Sequence, residues 1–232
     1  MVTQQVSNER KKELRQMDPL QRNLFRAVAF AGAYRKQLLC VTGAVVVVTL
    51  VFAGVFTSFK RSENIASDRV ARAVSQYRAL ADDPEAAYQA VKEDFQTVLA
   101  DYSNTDAGRM ALVRFAGICM EAGHPDEAEK WFEKAHEVFG ETDLRNFLLS
   151  SLGHVQLAKN DLDRAESYFM QIETGGSDLL KDEARFILAT IYQTRQDGAK
   201  SRKMYESIVR EHQNSIYADL AQSVTADPVA VQ

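Results

Sequence analysis

The chain has 232 residues, of which 28 are basic and 32 acidic, for a formal net charge of −4 at pH 7. The charge is unevenly spread: the first 37 residues carry net +5, and the part from Lys60 onward carries net −9. The acidic part argues against nucleic-acid binding, which needs clustered cations, and the two separated cysteines, Cys40 and Cys119, leave the redox compartment open.

Residues 1–37 form a basic tail. Met1 to Met17 reads as disordered. Asp18-Pro19 is a helix start, a capping carboxylate followed by the imino acid suited to the first turn. Leu20, Leu24, Val28 and Ala31 then share one face, as in a short interfacial helix. A polar lead-in without a partner accounts for the same residues.

Leu38 to Phe59 follows, 22 residues without a charge. At about 1.5 Å per residue it reaches roughly 33 Å, enough to cross a hydrocarbon core. Arg35-Lys36 and Lys60-Arg61 bracket it, where their side chains can snorkel to the headgroups. The run is too long for the core of a cleavable signal, and 37 residues is a long lead. It follows Cys40 instead of preceding it, so that cysteine is no lipoprotein anchor. The reading is a single transmembrane helix at 38–59 in contact with lipid. Positive-inside reasoning puts the tail in the cytoplasm and the acidic domain across the membrane.

From Ser62 to Ala81, Val70, Val74, Tyr77 and Leu80 recur at helical steps, which predicts a connecting helix within 60–83. Asp83-Pro84 starts the next helix. Short turns at Ser103-Asn104-Thr105, Gly123-His124-Pro125-Asp126, Gly140-Glu141-Thr142, Lys159-Asn160-Asp161, Gly175-Gly176-Ser177 and Gln196-Asp197-Gly198 then separate helical segments. No segment outside the apolar run alternates as a strand does. The fold class is all-α: eight helices after the anchor in four hairpins, a repeat domain at 84–221, and a frayed, disordered tail at 222–232. Phe95, Phe132, Phe169 and Tyr205 recur at intervals of 37, 37 and 36 residues, the mark of stacked helical hairpins.

These residues resemble tetratricopeptide repeats, a helical-hairpin family. Leu112, Ala116, Gly123, Ala128, Phe132, Ala135 and Gly140 fit one repeat. Leu149, Leu152, Gly153, Asn160, Ala165, Phe169 and Ile172 fit the next, and Leu188, Ala189, Tyr192, Ser201, Tyr205 and Ile208 a third. Phe95 and Val98 mark a degenerate first one. Small residues at Ala116, Gly153 and Ala189 suit the close crossing of two helices. The proline expected after each second helix is missing, and the period exceeds the usual 34 residues.

A basic tail, one span, a helix running on from it and a small repeat domain also resemble the ancillary subunit of the bacterial Sec translocon, the YfgM-like proteins. That resemblance implies an inner-membrane protein with periplasmic repeats. It also implies Sec translocon subunits, periplasmic chaperones or exported chains as partners, although the basic tail is longer than that family's pattern.

The residues show no catalytic, metal or cofactor constellation. The four histidines lack ligand spacing. Glu121, His124 and Asp126 read as a solvated turn, Cys119 as a core thiol, and Gly175-Gly176 as a turn without the Lys-Ser/Thr pair of a phosphate loop. The first helix of each hairpin lines the inner groove in this repeat class. That places Met110, Val113, Met120, Glu121, Phe147, His154, Leu157, Phe186, Thr190 and Gln193 on a mainly apolar groove for a protein partner. The alternative is that the Ser62–Ala81 helix or the C-terminal segment fills it, which would make these residues core. The expected function is a non-enzymatic, membrane-anchored adaptor beside the export machinery. The other reading is a self-associating envelope or division scaffold.

Overall fold

The computed structural model describes residues 23, 28–30 and 32–226. Among these the regular structure is helical, without strands. The helices are α1 (Arg35–Ala79), α2 (Pro84–Asp101), α3 (Asp106–Glu121), α4 (Pro125–Phe139), α5 (Arg145–Ala158), α6 (Leu162–Glu173), α7 (Lys181–Thr194), α8 (Gly198–Glu211) and α9 (Ile216–Ala226). The chain divides into two compact units, Met1–Phe59 and Lys60–Gln232. The expected cap at Asp18-Pro19 and most of the tail's apolar face lie outside the described residues. Val28–Phe30 are helical, and Val28 is exposed.

In the first unit the side chains from Leu38 to Phe59 are all exposed. The hydroxyls of Thr49 and Thr57 donate back to the carbonyls of Val45 (2.8 Å) and Ala53 (2.9 Å), so these polar groups are satisfied within the helix. The helix is long and apolar enough to cross a membrane. Helix α1 is continuous for 45 residues and takes in both the apolar run and the connecting segment. No proline falls between Arg35 and Ala79, so no backbone donor is lost along it.

The second unit is the stack of hairpins. Its first hairpin joins the end of α1 to α2 across the turn at Leu80–Asp83. Arg69 faces Asp94 at 3.5 Å, as antiparallel neighbours do. The Asp83 carboxylate caps α2 by accepting from the Ala86 amide, and Pro84 occupies the first turn. Hairpins α3–α4, α5–α6 and α7–α8 share one turn design. Gly123, Asn160 and Gln196 each end a first helix in the left-handed region, with φ of 79°, 59° and 60°. In each, the next residue's amide reaches back five residues: His124 to Cys119, Asp161 to Gln156 and Asp197 to Tyr192, each at 2.8 Å. Asp161 and Asp197 then cap the second helices through the amides of Arg164 and Lys200.

Eight helices in four hairpins were expected after the anchor. A further break at His212–Ser215 separates α9, which has no second helix behind it among the described residues. Helix α9 also runs to Ala226, past the start at Gln222 expected for the disordered tail.

The four repeat aromatics Phe95, Phe132, Phe169 and Tyr205 are buried. Burying such a side chain is worth about 1.5–3 kcal/mol. The core runs as three successive clusters, each drawing on adjacent helices. At Gly153 a Cβ would lie 2.6 Å from the Phe169 ring, so the small residue permits the α5–α6 crossing. Buried charges tie the layers together. Glu129 on α4 takes Lys159 (2.7 Å), Arg164 (2.6 Å) and the Gln156 amide (2.9 Å). Arg185 on α7 meets Glu173 (2.8 Å) and Glu211 (2.7 Å). Burial works to raise the Glu129 carboxyl, but the bonds from Lys159, Gln156 and Arg164 prevail and hold it below the usual carboxylate range.

Candidate protein-docking cleft

Within the second unit, an apolar cleft of about 590 Å³ opens between the end of α1 and the first helices of two hairpins. Its floor is one face of α3: Met110, Val113, Arg114, Gly117, Ile118 and Glu121 recur at helical spacing. Val74, Tyr77 and Arg78 of α1 form one wall, and Leu144 and Phe147, at the start of α5, form the other. Phe132 of α4 closes the base. A volume of this size suits a small ligand or a few apolar side chains of a partner.

The α1 wall is held by polar ties as well as packing. Ala66 and Ala73 are buried in the first core cluster, with Val70, Val74 and Tyr77 packed against it. The Glu63 carboxylate accepts from the amides of Asp106 (2.7 Å) and Ala107 (3.1 Å), so α1 supplies an anionic cap to the first turn of α3. The Tyr77 hydroxyl donates to Glu121. Burial and that acceptor push the Tyr77 phenol up to about 12, so it remains the donor at physiological pH.

The ten expected groove residues separate into two groups. Met110, Val113, Glu121 and Phe147 line the cleft, with Met110 and Phe147 49% and 43% exposed. The others are engaged elsewhere. Met120 packs on the first core cluster and Leu157 on the second. His154 meets Glu183 at 3.0 Å and sets its ring edge-on to Phe169. Phe186 packs against Tyr205 and against Tyr217 of α9, with ring centroids 5.7 and 5.1 Å apart. The Thr190 hydroxyl donates to the Phe186 carbonyl, and Gln193 accepts from Tyr205. Helix α1 packs on the first core cluster and leaves the cleft beside it, while Tyr217 of α9 lies against Phe186.

Sequence reasoning missed the α1 wall and Leu144. Val74 and Tyr77 were legible as an apolar stripe, but nothing local marked the face they meet. Leu144 sits just before α5 and carries no repeat signal.

Residues that could have suggested chemistry are held in structural contacts. The turn cluster is dispersed: Glu121 binds Tyr77, His124 lies 2.7 Å from Glu85, and Asp126 pairs with Lys159 at 2.6 Å. Burial, with the nearby Glu127 charge, pushes the Cys119 thiol up to about 12, too high for a nucleophile. Among the described residues, no three His, Cys, Asp or Glu side chains form a metal-holding group.

Residues 39–185 match the family model described as a tetratricopeptide repeat-like domain. The chain belongs to the tetratricopeptide repeat-like domain family. The match begins inside the apolar run, so the family pattern takes in both that run and the repeats. No curated protein sequence matches the chain. Among solved structures, it is similar to the crystal structure of MamA protein, with 15% identity, 71% of this chain and 82% of that chain covered, and a TM-score of 0.53. It is also similar to BtubC (BKLC) from P. vanneervenii, with 18% identity, 72% and 80% covered, and a TM-score of 0.43. Tetratricopeptide-like domains are scaffolds for protein–protein interaction, and no catalytic family matches.

Proposed function

We propose that the chain is a single-pass adaptor of the bacterial inner membrane. Leu38–Phe59 crosses the bilayer, the basic tail lies in the cytoplasm, and the repeats lie in the periplasm. There the domain holds protein partners at the export machinery: translocon subunits, chaperones or chains in transit. The observation that carries this reading is the family match from residue 39 to 185, which joins a membrane-length apolar helix to an interaction domain in one pattern. Anchoring confines the domain to the membrane surface and raises its effective concentration toward partners there. The charge asymmetry across the apolar run supports the orientation.

The test is photo-crosslinking in cells from a reactive residue at Phe147, with one at Phe186 as the control, followed by mass spectrometry. Adducts from Phe147 to export components or exported chains are the expected result. Adducts to a second copy of the chain would favour a self-associating scaffold. Adducts confined to the chain's own α1 would mean that the cleft is closed in the cell and would overturn its role as a docking site.

A further inference from the structure

The connections between hairpins are uneven in length. Those toward the two ends of the stack, 102–105 and 212–215, have four residues each, whereas 140–144 has five and 174–180 has seven. The two longer connections enclose a polar pocket of about 360 Å³. Asp143, Arg145 and Asn146 stand in its lining on the α5 side, and Gly175, Gly176 and Ser177 on the loop side. A space of that size, lined by polar residues and glycines, suits a small polar ligand and offers little to an acyl chain or an aromatic anchor.

Asn146 gives the pocket its frame. The residue is 4% exposed, and its Nδ2 donates to the Leu179 carbonyl at 2.7 Å and lies 3.5 Å from that of Ser177, which clips the 174–180 loop onto α5. The Leu179 bond fixes which end of the amide is the donor. Its Oδ1 is left in the pocket lining and accepts no bond from the described residues. An acceptor without a donor on so buried a side chain is uncommon. The clipped loop also holds Leu180 at φ 62°, a left-handed conformation unfavourable for leucine. Strain of that kind collects at ligand sites.

The charges in the lining are of both signs. Asp143 and Arg145 line the same pocket, yet they form no ion pair with each other. A Cβ at Gly175 would stand 3.6 Å from the Arg145 Nη1, so the guanidinium lies along the glycine pair. The amides of Gly176 and Ser177 donate to no carbonyl among the described residues. The lining thus offers donors in Arg145 and the loop amides, and acceptors in Asp143 and the Asn146 Oδ1. Asp143 disfavours a lone anion, and Arg145 disfavours a lone cation. We infer that this pocket binds a small zwitterion, with Arg145 and the loop amides receiving its oxyanion and Asp143 and the Asn146 Oδ1 receiving its ammonium. A free amino acid and a phosphoethanolamine headgroup both carry that chemistry. The pocket shares no lining residue with the docking cleft, and its ligand goes beyond the adaptor reading.

The test is equilibrium dialysis of the full chain in dodecyl maltoside, an uncharged detergent, against a mixture of the common L-amino acids and O-phosphoethanolamine. Mass spectrometry identifies what is retained. Retention of an amino acid is the expected result and assigns the site to a free solute. Retention of O-phosphoethanolamine alone supports the same chemistry and assigns it to a lipid headgroup. The retained compound should bind about tenfold more weakly to Asp143→Asn and to Arg145→Gln, the scale of one charge-assisted hydrogen bond. Its analogue without the ammonium should bind the parent more weakly and no longer respond to Asp143→Asn. A side chain at Gly176 meets open space, so Gly176→Phe should fill the pocket and abolish binding while the circular-dichroism melt stays near that of the parent. No retention, or retention unchanged by all three substitutions, would overturn the inference. Crosslinks from Phe147 to export components are independent of those results, so a failure here is distinct from a failure of the adaptor reading.

Discussion

The inner face of the repeat domain is open at its first complete repeat and closed at its last, although the two have the same register. In α3 the positions of Met110, Val113 and Gly117 leave a cleft. In α7 the corresponding stretch places Phe186 under Tyr217 of α9 and Thr190 against its own backbone. The intermediate repeat is closed differently, by the His154–Glu183–Ser150 hydrogen bonds between α5 and α7. The hairpin geometry alone therefore does not decide whether a groove exists. What decides it is the size of the residue at one repeated position and the element that stacks alongside.

The largest expected difference between the open and closed regions lies in paired aromatic truncations. Phe169→Ala removes a fully buried ring from the second cluster and should cost about 3–5 kcal/mol. Phe147→Ala, at the cleft, should cost less than about 0.5 kcal/mol. Urea denaturation of both variants checks this, and equal losses would mean that the cleft is part of the core. The glycines sharpen the comparison. Gly153→Ala forces a methyl group onto the Phe169 ring and should lose about 1–2 kcal/mol. Gly117→Ala meets open space and should gain about 0.5–1 kcal/mol. The same sign for both would contradict the open floor.

Acid should act on the closed region. The His154 hydrogen bond, helped by that from Ser150, holds the Glu183 carboxyl below its ordinary value. Bonds from Arg210 and then Arg185 hold Glu211 at about 2. In the unfolded chain both carboxyls bind protons at a higher pH. Their contribution is therefore complete above about pH 4.5 and is lost as pH falls toward the folded values. Thermal melts between pH 6 and pH 2 should show falling stability, and Glu183→Gln should flatten the slope. The smallest effect is at the turns. Gln196 adopts the same left-handed conformation that glycine supplies at Gly123, so Gln196→Gly should raise stability by about 0.5 kcal/mol. A loss would show that the Gln196 side chain contributes more than its backbone costs.

Much of the fold was legible because its signals are local. Asp83-Pro84, Asn160-Asp161 and Gln196-Asp197 announce helix boundaries through groups that bond within a few residues. The helix beyond His212–Ser215 was not counted, because no glycine or proline marks that break; Ser215 accepts from the Tyr217 amide and also contacts Asp182, 33 residues away. The site was half legible. Spacing placed Met110, Val113, Glu121 and Phe147 on one face, but it placed His154 and Phe186 there equally.

The sequence by itself determined an apolar helix of membrane length, a repeat of 36–37 residues, the all-helical class and the buried aromatics, because each follows from periodicity or from caps within one turn. Only the tertiary structure decided that the end of α1 walls a cleft and that α9 covers Phe186. Those outcomes depend on how successive helices rotate and stack, which sets contacts between residues some thirty to forty positions apart that no local pattern records.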